Sequence, residues 1–411
     1  ALISSKQSPY SNFDSSLNAG SEDDGDGDNV YYGTGIFGAG NASGHEYNTA
    51  LGYNALYSLT SGDSNTAMGY RALYAVTTGV QNTAIGVNAA DAISTGDNNI
   101  GIGYNALSSI TNIDGIIGIG SNALASLGSG SGIVAIGTEA MYLSNGLHYA
   151  TAIGYKAMRS TSGGGNTGVG YQVLYTNSSG FNNTAIGHEA LYSNTTGPYS
   201  VAVGYKALYS NTTGVNTAVG YQALYANTTG NYNVAIGHAS LTSNTTGSNN
   251  TALSGLGSNT SGDSNFAANS LPNNTTGDGN IGIGNSSLAT NTTGSNNIGL
   301  GQSSMNQNST GDNNIALGAF ALSLNTTADY NIAIGYWAGR GNTTGTSNIA
   351  IGYETMKSGS LNTGSYNTAM GYRALYSNTT ASGNVAIGRS ALRSNTTGGY
   401  NVATGNKSLY S

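Results

Sequence analysis

The chain contains no cysteine and only three prolines, and Lys, Arg, Asp and Glu together make up 7% of its 411 residues, against roughly 25% in an average soluble domain. The missing cysteines remove disulfides, thiolate nucleophiles and cysteine metal sites, but an exported structural protein needs none of them. Eleven Lys and Arg against 18 Asp and Glu leave a net charge of −7. That is no overall footprint for a phosphate backbone, so nucleic acid is not expected as a partner. No apolar run approaches the roughly 18 residues of a membrane-crossing helix, so membrane insertion is not expected either. The first residue is Ala1 and not Met, consistent with a processed, exported product. The expected address is extracellular, on a cell-surface appendage or, alternatively, a virion tail fibre.

What the chain has in excess is glycine, 64 residues, and tyrosine, 29, and these recur with a period. The unit Asn-Thr-Ala-Ile-Gly-Tyr-x-Ala-Leu-Tyr-Ser-Asn-Thr-Thr-Gly repeats, and its central glycine runs from Gly52, Gly69 and Gly86 through Gly237, then from Gly284 to Gly405. Most steps are 17 residues long, as from Gly52 to Gly69. This is too short for a helical-hairpin repeat and suits one coil of a β-solenoid. The predicted fold is all-β, a parallel β-solenoid of about 23 coils over residues 31–411. Residues 1–30 form a non-repetitive acidic arm, and residues 254–284 an irregular stretch where the coil shortens.

Within a coil, Thr and Ile alternate with Ala, so period 2 puts Thr and Ile on one face of a short strand. The residue before the glycine stays aliphatic, as Ile85, Ile102, Ile236 and Ile334, and so does the residue four places after it, as Leu56, Leu208 and Leu375. Both rows are expected inside. Each buried rung contributes something like 1.5 to 3 kcal/mol, offset by the entropy of ordering its coil. The opening Asn (Asn48, Asn65, Asn233, Asn297) predicts a stacked amide ladder or, failing that, an independent turn in each coil. The glycines are expected to supply positive φ or close backbone approach at the corners.

Several residue sets invite a functional reading. In the Asn-Thr-Thr turn and its variants, Asn177, Asn194, Asn211, Asn227, Asn244, Asn274, Asn291, Asn308, Asn325, Asn342, Asn378 and Asn395 are formal N-glycosylation acceptors in a turn expected to be exposed. Copying one turn with every coil also explains their number. Tyr53, Tyr70, Tyr155, Tyr171, Tyr205, Tyr221, Tyr353 and Tyr372 directly follow the glycine. Such a row suits an assembly seam, a glycan-binding stripe or a half-exposed β-former. The alternation Asp24, Asp26, Asp28 is similar to the start of a calcium loop, but Asn29 and Gly35 stand where that loop needs Gly and Glu; a solvated acidic linker is the simpler reading. His188 and His238 share a register three coils apart, on the order of 15 Å, too far for one metal ion. No catalytic constellation, cofactor site or metal site is predicted, and the chain is not expected to be an enzyme.

The motif Asn-Thr-Ala-Ile-Gly-Tyr-x-Ala-Leu, or its Val and Met variants at residues 65–73, 216–224 and 367–375, resembles the head repeats of YadA-like trimeric autotransporter adhesins and similar repeats in phage tail fibres. The resemblance implies a left-handed β-roll, three of which pack into a trimer that binds a host surface receptor. It also implies an Ile row inside each roll and close packing at Ala67, Ala218 and Ala369. The family's repeat is shorter, and no heptad stalk, anchor barrel or chaperone domain is recognisable here. The expected function is therefore a structural subunit of an extracellular filament, assembled by end-to-end stacking through an open last coil and an N-terminal arm. The alternative is a trimeric adhesin or tail-fibre shaft. The expected partners are copies of the chain, with surface glycans or a host receptor in the alternative.

Overall fold

The computed structural model describes residues 18–22, 29–38, 44–359 and 361–410, and the chain divides into two compact units between Ile186 and Gly187. In the first unit each short strand lies parallel to its equivalent one repeat later. Val30 is opposite Thr49, Thr49 opposite Thr66, and so on to Thr167 opposite Thr184. The second unit does the same from Val201 opposite Thr217 to Val385 opposite Val402. No helix occurs among the described residues. Each unit is thus a parallel β-solenoid, as its repeat predicts. The strand Asn18–Glu22 differs, running antiparallel to Asn29–Gly33. The acidic alternation Asp24, Asp26 and Asp28 lies outside the described residues.

The conserved spacing of the glycines has a steric cause. At Gly335 φ is +130°, and a Cβ there would stand 2.6 Å from the carbonyl oxygen of Gly352 in the next coil. Only glycine meets both demands. The corners are not glycine's alone, however. Leu56, Leu208 and Leu375 adopt φ of 51°, 52° and 49°, a left-handed backbone that costs a side-chain-bearing residue about 1–2 kcal/mol. Their full burial offsets that cost.

The core differs from expectation at one register. The strands read half-buried, buried, exposed, as in Thr83–Ile85 and Val385–Ile387, so the middle Ala faces in and Thr and Ile face out. Thr and Ile do share a face, but it is the outer one: Ile236 is 44% and Ile334 37% exposed. The reason is space. Where Gly118 replaces this Ala, an added Cβ would sit 2.6 Å from Leu107 Cδ2. The Leu row, reaching in from the opposite wall, fills the interior and leaves room for a methyl at most. The Leu row itself is buried from Leu56 to Leu392, and Leu409 in the last coil is exposed.

Two polar ladders complete the interior. Asn297 N–H and Nδ2 donate to Asn280 Oδ1, at 3.1 and 3.2 Å, and Nδ2 also donates to Gly311 O at 2.7 Å. The predicted Asn ladder is therefore present, and it begins earlier than the repeat suggests, with Asn48 N–H donating to Asn29 Oδ1. Apolar Ile116, Ile133 and Ala150 interrupt it, beside an extra parallel pair in which Leu147–His148 runs along Gly130–Ser131. In the irregular stretch the strands Thr251–Leu253, Phe266–Ala268 and Ile281–Ile283 hold register at 15-residue steps. The residues lost come from the corner after the strand, where buried Leu256 and Leu271 take over the Leu row.

Candidate functional site

The Asn-Thr-Thr corner forms the second polar ladder. Asn244 Nδ2 donates to Asn227 Oδ1 at 2.7 Å and to Gly247 O at 2.9 Å, and Asn308 Nδ2 donates likewise to Asn291 Oδ1 and Gly311 O. Both amide hydrogens are occupied. Of the twelve formal acceptors, all but Asn395 are buried, and Asn395 Nδ2 donates to Gly398 O. This corrects the expected exposure of these Asn side chains. The turn is at the surface, but its Asn points inward, and what the corner presents to solvent is its second Thr, such as Thr196, Thr229 and Thr293. The first Thr donates its hydroxyl to the next coil, as Thr245 Oγ1 does to Thr260 O at 3.0 Å. The Asn-x-x-Gly spacing was the available signal, because it lets the amide close on the glycine carbonyl three residues on.

In the first unit the same corner is apolar. Leu59, Val76, Ile93, Ile110 and Leu127 fill it, followed by Ser144, Thr161 and Asn177. Asn177 Nδ2 reaches Thr161 Oγ1 at 3.1 Å, so aliphatic packing gives way to amide bonding over a few coils.

The tyrosines stack along the coil axis. Tyr53 lies on Tyr70 with centroids 5.7 Å apart and planes at 7°, and Tyr155 on Tyr171 at 5.4 Å. In the second unit His188, Tyr205, Tyr221 and His238 form one continuous stack with steps of 5.3, 5.1 and 5.1 Å. Tyr336, Tyr353 and Tyr372 form another. A parallel row, Tyr192, Tyr209 and Tyr225, stands four residues further on. Ring faces within these stacks are covered by neighbouring rings, which removes the apolar platform a sugar would need. Ring edges and hydroxyls face outward. A sugar meeting these stacks would therefore contact ring edges and hydroxyls in place of open ring faces.

The strand face also turns apolar side chains outward. Around the middle of the second unit both outward positions are aliphatic, in Ile281 and Ile283, Ile298 and Leu300, Ile315 and Leu317, Ile332 and Ile334, and Ile349 and Ile351. Five consecutive coils thus carry a double row.

The described histidines are tied into the fold. His45 is buried against Asn29, whose Nδ2 donates to the His45 carbonyl at 2.8 Å, and His148 Nδ1 lies 2.9 Å from Ser131 Oγ. Among the described residues no three of His, Asp and Glu come together as a metal-holding group. Glu354 is buried. Burial pushes its carboxyl up, but hydrogen bonds from Lys357, at 2.8 Å, and Arg373 outweigh that and hold it below the usual range. Asp91 shows the reverse: burial raises its pKa against the pull of Arg71, and its Oδ1 has no hydrogen-bond partner. Comparison with known proteins finds no family model, curated protein or solved structure that matches the chain.

Proposed function

We propose that the chain is a structural, non-catalytic protein whose solenoid units associate side by side with copies of themselves to build an extracellular fibre. The observation that carries this reading is the double aliphatic row from Ile281 to Ile351, which faces outward from a rigid, hydrogen-bonded scaffold. Exposed apolar surface of that continuity marks an association surface, and an identical copy presents a matching row at the same coil spacing. Side-by-side packing replaces end-to-end stacking as the favoured mode, because the outward row provides the contact directly. A trimeric adhesin is the second reading, supported by the same row: three chains around a shared axis would bury it fully. Sedimentation of the full chain, with electron microscopy, tests the proposal. Multimers are expected, with dissociation when Ile283, Ile334 and Ile351 are all changed to Asp. A wild-type chain that sediments as a monomer at micromolar concentration would overturn it.

A further inference from the structure

The chain's few cations are unevenly placed. Residues 337–411 hold Arg340, Lys357, Arg373, Arg389, Arg393 and Lys407, six of the 11 basic residues, against the single acid Glu354. This segment carries +5 (6 − 1) in a chain of net −7, so the remainder carries −12.

Elsewhere in the described coils, three of the four cations sit with carboxylates, and the fourth, Arg71, lies over the Tyr74 ring at 4.2 Å without an ion pair. Lys156 and Arg159 share Glu139, at 3.8 and 2.8 Å, and Lys206 meets Glu189 at 3.3 Å. In the last coils Glu354 is taken up by Lys357 and Arg373. Among the described residues Arg340, Arg389, Arg393 and Lys407 have no carboxylate within ion-pair distance.

These four are held in place by aromatic rings. The Arg340 guanidinium lies 5.5 Å from the Trp337 ring, and Arg389 lies 5.8 Å from Tyr372. Arg393 is 5.5 Å from both Tyr376 and Tyr410, and Lys407 is 5.9 Å from Tyr410. All lie within one to five residues after the coil glycine, so stacking of the coils puts them on one side. Cations gathered without counter-charges repel one another, and ring contacts of this kind are worth only about 0.5–1 kcal/mol at exposed sites. A chain this poor in charge has no solubility reason to concentrate cations there.

We infer that this basic, aromatic-braced face binds an acidic polysaccharide through its carboxylate or sulfate groups. Coils recur at about 4.8 Å, a step comparable to one sugar ring, so charges on successive coils can meet charges on successive sugars. Guanidinium forks suit planar carboxylates and sulfates. Single-stranded nucleic acid is the poorer fit, because it needs open ring faces for base stacking. Here Tyr336, Tyr353 and Tyr372 cover one another at 5.6 and 5.5 Å, and Lys357 lies 3.7 Å over Trp337. The face uses registers other than the outward strand row, so the inference does not rest on side-by-side association.

The test is binding of the full chain to heparin as the sulfated probe and polygalacturonate as the carboxylate probe, with dextran and oligothymidine as controls. The expected result is salt-sensitive binding to at least one acidic polysaccharide and none to dextran. Affinity should fall about tenfold in Arg389→Gln/Lys407→Gln, two exposed residues without ion pairs, while the melting temperature is unchanged. Lys156→Gln/Lys206→Gln, with the same change in net charge, should bind as wild type. Failure to bind either polysaccharide, equal loss in the two double variants, or equally tight binding of oligothymidine would each overturn the inference.

Discussion

Gly335 and Asn297 show how little freedom a single residue has in a stacked coil. Adding one methyl at Gly335 meets both a φ of +130° and the Gly352 carbonyl. Gly335→Ala should therefore cost about 3 kcal/mol or more, read as a lower denaturation midpoint with an unchanged slope. Asn297→Ala removes the acceptor that both Asn314 N–H and Asn314 Nδ2 use, at about 1–3 kcal/mol for each buried group left unpaired. Asp91 predicts a stabilising change. Its pKa is raised on folding, so the ionised form is disfavoured in the folded state, and stability is lost as pH rises through the unfolded value and then the folded one. Asp91→Asn should raise the melting temperature at pH 7. The gain should vanish near pH 3, where the carboxyl is protonated in both states.

At the scale of the strand, alternation identifies which residues share a face but not which face is inward. That is why the repeat length, the parallel stacking, the Leu row and the first Asn ladder were legible in the sequence, while the place of the Ile row was not. Deciding it needed the depth of the coil: Leu107 reaches to within 2.6 Å of where a Cβ on Gly118 would be, and no local pattern encodes that reach. The second Asn ladder was hidden for a different reason, since Asn-Thr-Thr also satisfies a modification pattern. The stability order across one strand follows. Ala235→Ile should overpack the coil by about 1–3 kcal/mol. Ile236→Ala, at a position already 44% exposed, should cost less in the isolated chain, about 1 kcal/mol. The opposite order would mean that the strand is inverted. Intact mass supplies a further check, because buried amides at Asn194, Asn211 and Asn227 predict bare polypeptide at those sites in the folded protein.

For the whole molecule, the magnitude of the outward row decides what kind of association it can support. A partly exposed aliphatic side chain that becomes covered contributes on the order of 1 kcal/mol, whereas bringing two chains together costs an estimated 4–15 kcal/mol in lost freedom. One rung cannot hold two copies together. The five coils from Ile281 to Ile351, with two aliphatics each, can. Association should therefore depend on the number of intact rungs and not on any one of them. Ile334→Asp alone should weaken it modestly, and adding Ile283→Asp and then Ile351→Asp should lower the multimer fraction stepwise until monomers dominate. Because the contact is apolar, added sulfate should strengthen it, in contrast to the polysaccharide face, where salt should weaken binding. Analytical ultracentrifugation across this series, with and without sulfate, separates the two surfaces. Complete dissociation by the first substitution would point to a local contact in place of a continuous row, and indifference to all three would place the association surface elsewhere on the coil.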